Sequence, residues 1–403
     1  MKALVVGVRK KHNFNFSLIV LMTLLLFIGL VFVYSASYYS ADISFGDKFF
    51  FVKKQLFGIG VGCVGFLFFS FFDYKKLNKI KWVLYVVSIV LLAAVFIPGI
   101  GVTTYGATRW INLKILTFQP SEIAKFAFIV LSAGVLCKSS EKIKNFKTFL
   151  FVLVLGGILC ALIILEPNMS ITICMATLVV VMLFVGGANF KHFAWLIVPG
   201  IALVVFLIVI EPYRLKRIVA FLDPFASKQD EGFQLVQSIL GVALGGFFGR
   251  GIFNSRQKYL FLPFAESDFI FSIIAEEIGF FGVFLLIFIF ILLFLQIIRI
   301  AKNANSKFGC LLSSGIGSII IIQVLFNLMV VLGLVPPTGL PLPFISAGST
   351  AIMINMSMLG VVQNVYKQSK SRVWNSVFIF ILCHANNNFG AYSCYYIFMS
   401  EIW

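Results

Sequence analysis

Long apolar stretches alternate with short polar segments along almost the whole chain. An α-helix needs about 20 apolar residues to cross the hydrocarbon core of a bilayer. Stretches of this length predict about ten membrane-spanning helices, and hence an all-α integral membrane protein. The predicted spans are residues 16–36, 56–72, 82–99, 121–137, 148–165, 169–187, 193–210, 269–297, 311–333 and 349–366.

The same pattern divides the chain into three parts. Residues 1–15 are a short N-terminal segment, 16–366 are the membrane domain, and 367–403 are a cytoplasmic or interfacial tail. Inside the domain, the large polar loop 211–268 separates the seventh and eighth spans. The first apolar stretch is long enough to span, so we interpret it as a signal anchor and not as a cleavable signal peptide.

Composition agrees with a bilayer environment and argues against a nucleic-acid partner. Hydrophobic residues make up 61% of the chain and charged residues 12%, whereas soluble proteins carry about 25% charged residues. The net charge of +17 comes from short Lys and Arg clusters between apolar stretches, and not from a basic stripe with interleaved aromatic residues. The seven cysteines and three histidines are scattered, so no zinc site or disulfide framework is expected.

The basic clusters also predict the orientation, because cationic loops stay on the cytoplasmic side of a membrane. Placing both termini in the cytoplasm puts most of these clusters inside and the 211–268 loop outside. The short outer loops then hold only Lys48, Lys53, Lys54, Arg109 and Lys114.

Three outer segments are candidates for a functional site. Residues 100–120 are rich in Gly and Thr, and 211–268 mixes charges with apolar stretches too short to span. We expect both to fold as short interfacial helices and re-entrant pieces over the bundle. Irregular backbone near membrane depth has to be buried in protein or line a cavity, so the Pro- and Gly-rich segment 336–349, with Ser346, is expected to form a wall of a substrate groove.

A polar cluster lies at the start of the eighth predicted span. It contains Asn254-Ser255-Arg256-Gln257-Lys258 and ends at Asp268, which we expect in the first helical turn. A carboxylate there is favoured by the helix dipole, and a plain capping role is an equally good interpretation from position alone. Arg256 and Lys258 favour a site, because two cations and an acid on one outward rim suit a phosphate-bearing substrate.

Two further polar groups lie on predicted helices. Ser272 and Glu276 follow Asp268 at intervals of four residues and share its helical face, with Glu277 beside them. We expect a structural role for the two glutamates, in a hydrogen bond or salt bridge between helices.

A second group lies near the fourth predicted span. Glu122 and Lys125 are three residues apart and form either an internal ion pair or part of a site. Arg109 and Trp110, upstream, either line a lipid-headgroup pocket or, for Trp110, anchor the chain at the interface.

These segments together resemble the SEDS family of cell-wall proteins (shape, elongation, division, sporulation). The likeness runs from the first span to about residue 366, and the 254–258 stretch is more similar to the division branch than to the elongation branch. The matching residues are Gly106-Ala107-Thr108-Arg109-Trp110-Ile111, Gln119-Pro120-Ser121-Glu122, Tyr213-Arg214, Phe221-Leu222-Asp223-Pro224, Gln234, Gln237-Ser238, Asn254-Ser255-Arg256-Gln257-Lys258, Leu262-Pro263, Asp268-Phe269-Ile270-Phe271, Glu276-Glu277 and Gly339-Leu340-Pro341-Leu342-Pro343-Phe344-Ile345-Ser346.

The resemblance implies a peptidoglycan glycosyltransferase that polymerises lipid II at the outer face of the inner membrane during division. Asp268 matches the acid proposed as its catalytic base. The substrate-binding candidates are Arg109, Trp110, Glu122, Lys125, Arg256, Lys258 and Ser346. Cations or a divalent metal ion (Mg²⁺ or Mn²⁺) are expected to absorb the charge of the pyrophosphate. The implied partners are a class B penicillin-binding protein, which is a transpeptidase, and other division proteins.

Some positions depart from the family pattern, and other functions stay open. Glu166-Pro167-Asn168 stands where the family often has Gln-Pro-Asp, and Ser346-Ala347-Gly348-Ser349 is one residue shorter than the usual turn. The alternatives are a lipid II flippase, an elongation-type polymerase and a scaffold that only recruits a transpeptidase. The flippase is disfavoured because the chain lacks matched broken helices in two halves, and the scaffold leaves Asp268 and Arg256 unexplained.

Overall fold

Ten helices dominate the computed structural model, which describes residues 14–104, 107–112, 117–138, 146–195, 200, 209, 219, 221–224, 231–337 and 339–369. In chain order they are α1 (Phe16–Phe45), α2 (Phe50–Phe71), α3 (Tyr74–Ala94), α4 (Pro120–Leu136), α5 (Phe146–Leu165), α6 (Met169–Gly186), α7 (Glu231–Gly245), α8 (Ile270–Lys302), α9 (Lys307–Val331) and α10 (Ser349–Lys367).

Within the described part of the chain, seven helices are long and apolar enough to cross a membrane: α1, α2, α3, α5, α6, α8 and α9. α4 is shorter, and α10 is more polar. The predicted span 193–210 lies almost entirely outside the described residues, as do the N-terminal segment up to residue 13 and most of the tail. The expected all-α multi-pass membrane fold is confirmed.

Side-chain caps explain where several helices begin. Asn15 accepts a hydrogen bond from the backbone N–H of Leu18 at the start of α1, and Asp73 accepts one from Lys75 at the start of α3. Such caps satisfy N–H groups that have no partner inside the helix. The predicted start of the third span, residue 82, was eight residues too late because the Lys-rich first turns look like a loop in the sequence.

A small sheet replaces the helical pieces that we expected in residues 100–120. Strands β1 (Gly101–Thr104), β2 (Ala107–Asn112) and β3 (Thr117–Phe118) form an antiparallel sheet in the order β1-β2-β3. The expectation was wrong because Val, Thr, Ile and Trp favour an extended backbone. The Thr350 hydroxyl, at the start of α10, donates to the carbonyl of Thr117 at 3.0 Å and ties the sheet to the bundle.

Helix α8 is interrupted at Gly279, whose φ and ψ are 65° and −171°. The backbone groups freed by this break pair with the loop that follows α7, as membrane depth requires. A Cβ at Gly279 would lie 2.2 Å from the nitrogen of Gly249, so only glycine fits. The pairs are Arg250 N to Glu276 O (3.0 Å), Gly251 N to Glu277 O (3.0 Å), Phe280 N to Gly246 O (2.9 Å) and Phe281 N to Phe247 O (3.1 Å).

Helix α7 lies within the 211–268 loop and ties α8 to α9. The Ser272 hydroxyl of α8 donates to the carbonyl of Ser238 at 2.7 Å. The Ser238 hydroxyl donates in turn to the carbonyl of Val331, the last residue of α9, at 3.0 Å. Ser272 therefore binds α8 to α7. Asp268, which we expected on the same helical face, precedes the first residue of α8 and is not part of this helix. We call the end of the bundle that carries Asp268 the outer end, following the predicted orientation.

Candidate functional site

Asp268 lies in a turn before α8. The helix begins at Ile270 and its N-cap residue is Phe269, which makes no side-chain cap. The expectation that Asp268 occupies the first helical turn is therefore wrong by two residues. The residue is partly exposed. The position of Asp268 is fixed by hydrogen bonds to the main chain of residues 266–268.

Three successive backbone carbonyls hold this turn, and we call this arrangement the carbonyl clamp. The carbonyls of Glu266, Ser267 and Asp268 accept hydrogen bonds from Ala347 N (2.9 Å), Ser346 Oγ (2.6 Å) and Asn327 Nδ2 (2.8 Å). The donors come from the 339–347 segment and from α9. The turn before α8 is thus fixed by its main chain to two other parts of the bundle.

Ser346 is a member of the clamp and is buried. Its hydroxyl accepts from the N–H of Leu342 at 2.7 Å and donates to the carbonyl of Ser267. We expected this hydroxyl on the wall of a groove. The structure does not place it there: the Ser346 hydroxyl is buried, and it both donates and accepts a hydrogen bond inside the protein.

Gln55 of α2 holds the same segment from the other side. Its amide donates to the carbonyls of Ile345 (3.4 Å) and Ser346 (3.3 Å) and accepts from Gly348 N (3.3 Å). Sequence reasoning missed Gln55 and Asn327. For Asn327 the available signal was a polar amide inside a predicted span, which is costly unless it is bonded. Gln55 gave no such signal, because it follows Lys53 and Lys54 just before the second predicted span.

Glu276 binds the loop that contains Arg256. Its buried carboxylate accepts from Ser255 Oγ (2.5 Å), Arg256 N (2.9 Å) and Gln257 N (3.3 Å). The guanidinium of Arg250, which the sequence did not single out, completes an ion pair at 3.2 Å. Such charge-assisted hydrogen bonds are the strong ones, so this carboxylate anchors the loop to α8.

Glu277 forms a second buried anchor, with Lys258 and Ser35. One carboxylate oxygen accepts from the Ser35 hydroxyl at 2.5 Å and from Lys258 Nζ at 3.2 Å. Lys258 is 2% exposed, whereas Arg256 is exposed. The expected outward rim of two cations is therefore wrong for Lys258, because its charge is needed to compensate Glu277.

Glu122 and Lys125 form an ion pair inside the first turns of α4. The two charged groups are 2.6 Å apart and each side chain is 1% exposed. The interpretation as an internal ion pair fits this geometry, and an open cationic site at Lys125 does not. The second oxygen of Glu122 and the neighbouring Ser121 hydroxyl have no hydrogen-bond partner among the described residues.

Arg109 ties the sheet to the turn between α5 and α6. It lies on β2, is partly exposed, and its guanidinium donates to the carbonyls of Glu166, at 3.4 Å, and of Pro167. Trp110, the next residue, is also partly exposed and pairs with Val102 in the sheet.

Glu166 is a buried carboxyl with neither oxygen hydrogen-bonded within the described part of the chain. Burial raises its pKa to about 8, against the opposing charge of Arg109. Desolvation penalises the ionised form, so Glu166 is largely protonated at neutral pH. The departure from the family pattern at this turn thus introduces a neutral acid.

A metal ion has no group of protein ligands in the described structure. No three His, Cys, Asp or Glu side chains come together there, and the buried carboxylates of Glu276 and Glu277 are taken by cations and N–H groups. Hard divalent cations require several oxygen ligands. The described residues therefore do not fit a metal ion held by the protein.

The geometry defines a multi-pass helical membrane protein with a partly exposed acid at its outer end. The model of the cell cycle protein family that contains FtsW, RodA and SpoVE matches residues 16–371. The chain belongs to this family, and the resemblance seen in its motifs is confirmed.

Curated relatives cover nearly all of this chain. Stage V sporulation protein E of Bacillus subtilis (strain 168) is 40% identical over 90% of this chain and 99% of its own length. A probable peptidoglycan glycosyltransferase FtsW of Geobacter sp. (strain M18) is 37% identical over 89% of this chain and 98% of its own length.

Solved structures share the fold. One, from a study of the structural coordination of polymerization and crosslinking by a peptidoglycan synthase complex, has a TM-score of 0.73 and 27% identity over 89% of this chain and 99% of that one. Thermus thermophilus rod shape determining protein RodA has a TM-score of 0.64 and 24% identity over 89% of this chain and 98% of that one.

Proposed function

We propose that this chain is a peptidoglycan glycosyltransferase that polymerises lipid II into glycan strands, with Asp268 as the general base. The enzyme class is the one that FtsW relatives carry in their names, and on that basis the chain is a peptidoglycan glycosyltransferase. The observation that carries the catalytic assignment is the partly exposed Asp268 on a turn whose main chain is fixed at three successive carbonyls.

The proposed reaction is a displacement at the anomeric carbon of the donor sugar. The 4-hydroxyl of the acceptor sugar forms the new bond to this carbon and gives its proton to the carboxylate of Asp268. The bond from the same carbon to the lipid pyrophosphate breaks, and the pyrophosphate leaves with the electron pair. A positioned carboxylate contributes about 10²- to 10⁴-fold to such a step.

Four of the substrate-binding candidates are cations, and two of them are exposed enough to contact the leaving pyrophosphate. Arg256 is exposed and Arg109 partly exposed, and planar guanidinium groups suit phosphate oxygens. Lys125 and Lys258 are buried in ion pairs, so the proposal gives them a structural role. A Mg²⁺ or Mn²⁺ ion would be held by the pyrophosphate, since the described residues offer no group of three His, Cys, Asp or Glu side chains to bind it.

The proposal places the reaction at the outer face of the bacterial inner membrane, at the division site. A class B penicillin-binding protein, a transpeptidase that cross-links the new strands, is the proposed partner, together with other division proteins. A structural neighbour is described as a peptidoglycan synthase complex that coordinates polymerization with crosslinking, which supports a partner of this kind.

Polymerisation of labelled lipid II by the purified protein, with its transpeptidase partner where needed, tests the proposal. Asp268→Ala should lower glycan synthesis by at least about 100-fold, the smaller end of general-base effects. Asp47→Ala, which removes a partly exposed acid between α1 and α2, is the matched control and should leave synthesis intact. Full activity in Asp268→Ala would overturn the catalytic assignment, and lipid II translocation in liposomes without polymer would favour the flippase.

A further inference from the structure

Asn327 joins the Asp268 turn to the 339–347 segment through a single amide group. It lies on α9, four residues before the helix ends, and is 1% exposed. Its Nδ2 donates to the carbonyl of Asp268 at 2.8 Å and to the carbonyl of Leu340 at 2.7 Å. An NH₂ group has two hydrogens, and both are used to keep these two carbonyls at a fixed separation.

Gly339, next to Leu340, lies against the carboxylate of Asp268. A Cβ on Gly339 would be 2.9 Å from Oδ2 of Asp268. Gly339 also has a φ of +64°, a conformation that residues with a Cβ rarely adopt. The backbone of residue 339 therefore limits one side of the space in which the carboxylate sits.

These contacts close a ring that runs from the Asp268 carbonyl through Asn327 to Leu340, and from Gly339 back to the Asp268 carboxylate. We propose that Asn327 and Gly339 are positioning residues, which set the place of the Asp268 carboxylate relative to the acceptor hydroxyl. This inference rests on the proposed function of Asp268 as the base. Neither residue is required to touch the substrate.

The chemistry of the ring explains why residue 327 is an asparagine. The donor half of its amide is fully used, whereas its Oδ1 has no hydrogen-bond partner within the described part of the chain. An aspartate would offer no hydrogens to the two carbonyls and would add repulsion, and a leucine would leave them without that donor. Both changes keep the size of the side chain and remove the hold on Asp268.

Steady-state kinetics on the full chain with labelled lipid II measure this role. Asn327→Leu should lower kcat about 10- to 100-fold, the cost of a misplaced reacting group, with KM unchanged because the substrate contacts remain. Asn327→Asp should lose at least as much. Gly339→Ala approaches the same carboxylate from the other side and should lower kcat in the same way.

Asn364→Leu is the matched control. Asn364 is also a buried asparagine with a hydrogen bond to a backbone carbonyl, that of Ser70 at 3.0 Å, and it accepts from Tyr74 N at 3.0 Å. Asn364 lies near the C-terminal end of α10, whereas the segment that holds the Asp268 turn precedes the N-terminal end of α10. Comparable thermal unfolding of the Asn327 and Asn364 variants, with a loss of kcat only in the former, separates positioning from stability.

A double-mutant cycle separates this inference from the function on which it rests. If Asn327 acts through Asp268, then Asn327→Leu has no further effect on the residual activity of Asp268→Ala. An unchanged kcat in Asn327→Leu, a loss equal to that in Asn364→Leu, or an additive loss in the double variant would overturn the positioning role. Full activity of Asp268→Ala alone would overturn the base assignment instead. Should Asn327→Leu fail to fold, Gly339→Ala decides the inference by the same cycle.

Discussion

The Asp268 turn and the Glu276–Glu277 pair lie within ten residues of each other and are held in opposite ways. At the turn, neutral donors bind the backbone carbonyls and the carboxyl-bearing residue is partly exposed. At the pair, the carboxylates themselves accept the hydrogen bonds, and the two residues are 0% and 1% exposed.

This difference separates the carboxylates that hold the fold from the acid to which we assign the chemistry. The carboxylates of Glu276 and Glu277 bind the 250–258 loop and Ser35. A general base has to be reached by the substrate hydroxyl and held in a fixed place. Asp268, partly exposed on its clamped main chain, is the residue to which the proposed function assigns this role.

Among the variants considered, removing the Glu276 carboxylate, which anchors the Arg256 loop to α8, should cost the most stability. Glu276→Ala leaves the charge of Arg250 and the N–H groups of Arg256 and Gln257 without their acceptor. Breaking a buried pair in this way costs about 3–5 kcal/mol. Thermal unfolding in detergent should show this loss, whereas Asp268→Ala in the same assay should lose less, because Asp268 is partly exposed and its turn is held by the main chain. Equal losses in the two variants would contradict the contrast between anchor and base.

Glu166 is a third kind of acid, buried without a hydrogen bond among the described residues. Its pKa is about 8 in the folded protein against an ordinary 4.5, so over that interval the folded state binds a proton that the unfolded chain has released. Stability should therefore fall as the pH rises through this window, by up to about 1.4 kcal/mol for each pH unit. Glu166→Gln, which cannot ionise, should lack this fall.

Melting temperatures of the parent protein and of Glu166→Gln at about pH 5 and about pH 9 test this sign. The melting temperature of Glu166→Gln should rise relative to that of the parent protein as the pH increases. A constant difference between the two proteins at both pH values would show that Glu166 is ionised in the folded protein over this whole range, as it is in the unfolded chain.

The carbonyl clamp should depend on Ser346 to a smaller extent. Ser346→Ala removes the donor to the Ser267 carbonyl and the acceptor of the Leu342 N–H, while Ala347 and Asn327 still hold the turn. The expected cost is about 1–3 kcal/mol for the unsatisfied buried groups, with a modest fall in kcat. Ser357→Ala is the comparison, because among the described residues its hydroxyl bonds within α10, to Met353 O at 2.7 Å. If Ser346→Ala behaved like Ser357→Ala, the clamp would not need this hydroxyl.

Arg256 should show the smallest effect on stability. Its backbone N–H, which any residue supplies, makes the bond to Glu276, and its side chain is exposed. Arg256→Ala should therefore change stability by less than about 0.5 kcal/mol, yet lower kcat/KM for lipid II because a charge-assisted phosphate contact is lost. Binding measured with inorganic pyrophosphate as competitor gives the readout, and an unchanged inhibition constant would remove Arg256 from the substrate site.

Much of the fold and part of the site were predictable because their signals are local. Apolar stretches predicted nine of the helices in the described chain, and the polar cluster before the eighth span drew attention to Asp268. The partners of that cluster were not predictable. Ser35 and Glu277 are 242 residues apart, and no local pattern indicates that such residues meet. The burial of Lys258 follows only from this pairing.

Backbone geometry was the other gap. The sheet at 100–120 was missed because β1, β2 and β3 are short and lack a full alternating pattern. The clamp was missed because its acceptors are carbonyls, which every residue carries. Asn327 was visible only as a polar residue in an apolar span, and Gln55 only as part of a polar group with Lys53 and Lys54. Nothing in the sequence indicates what either side chain binds.

The break in α8 at Gly279 has a consequence for how the protein opens. The loop after α7 bonds to α8 on both sides of the break, at Glu276 and Glu277 before it and at Phe280 and Phe281 after it. We therefore expect the loop and the helix ends that flank the break to open together, as one cooperative unit. The amide hydrogens of Phe280 and Phe281 should then exchange with solvent at the same rate as those of Arg250 and Gly251.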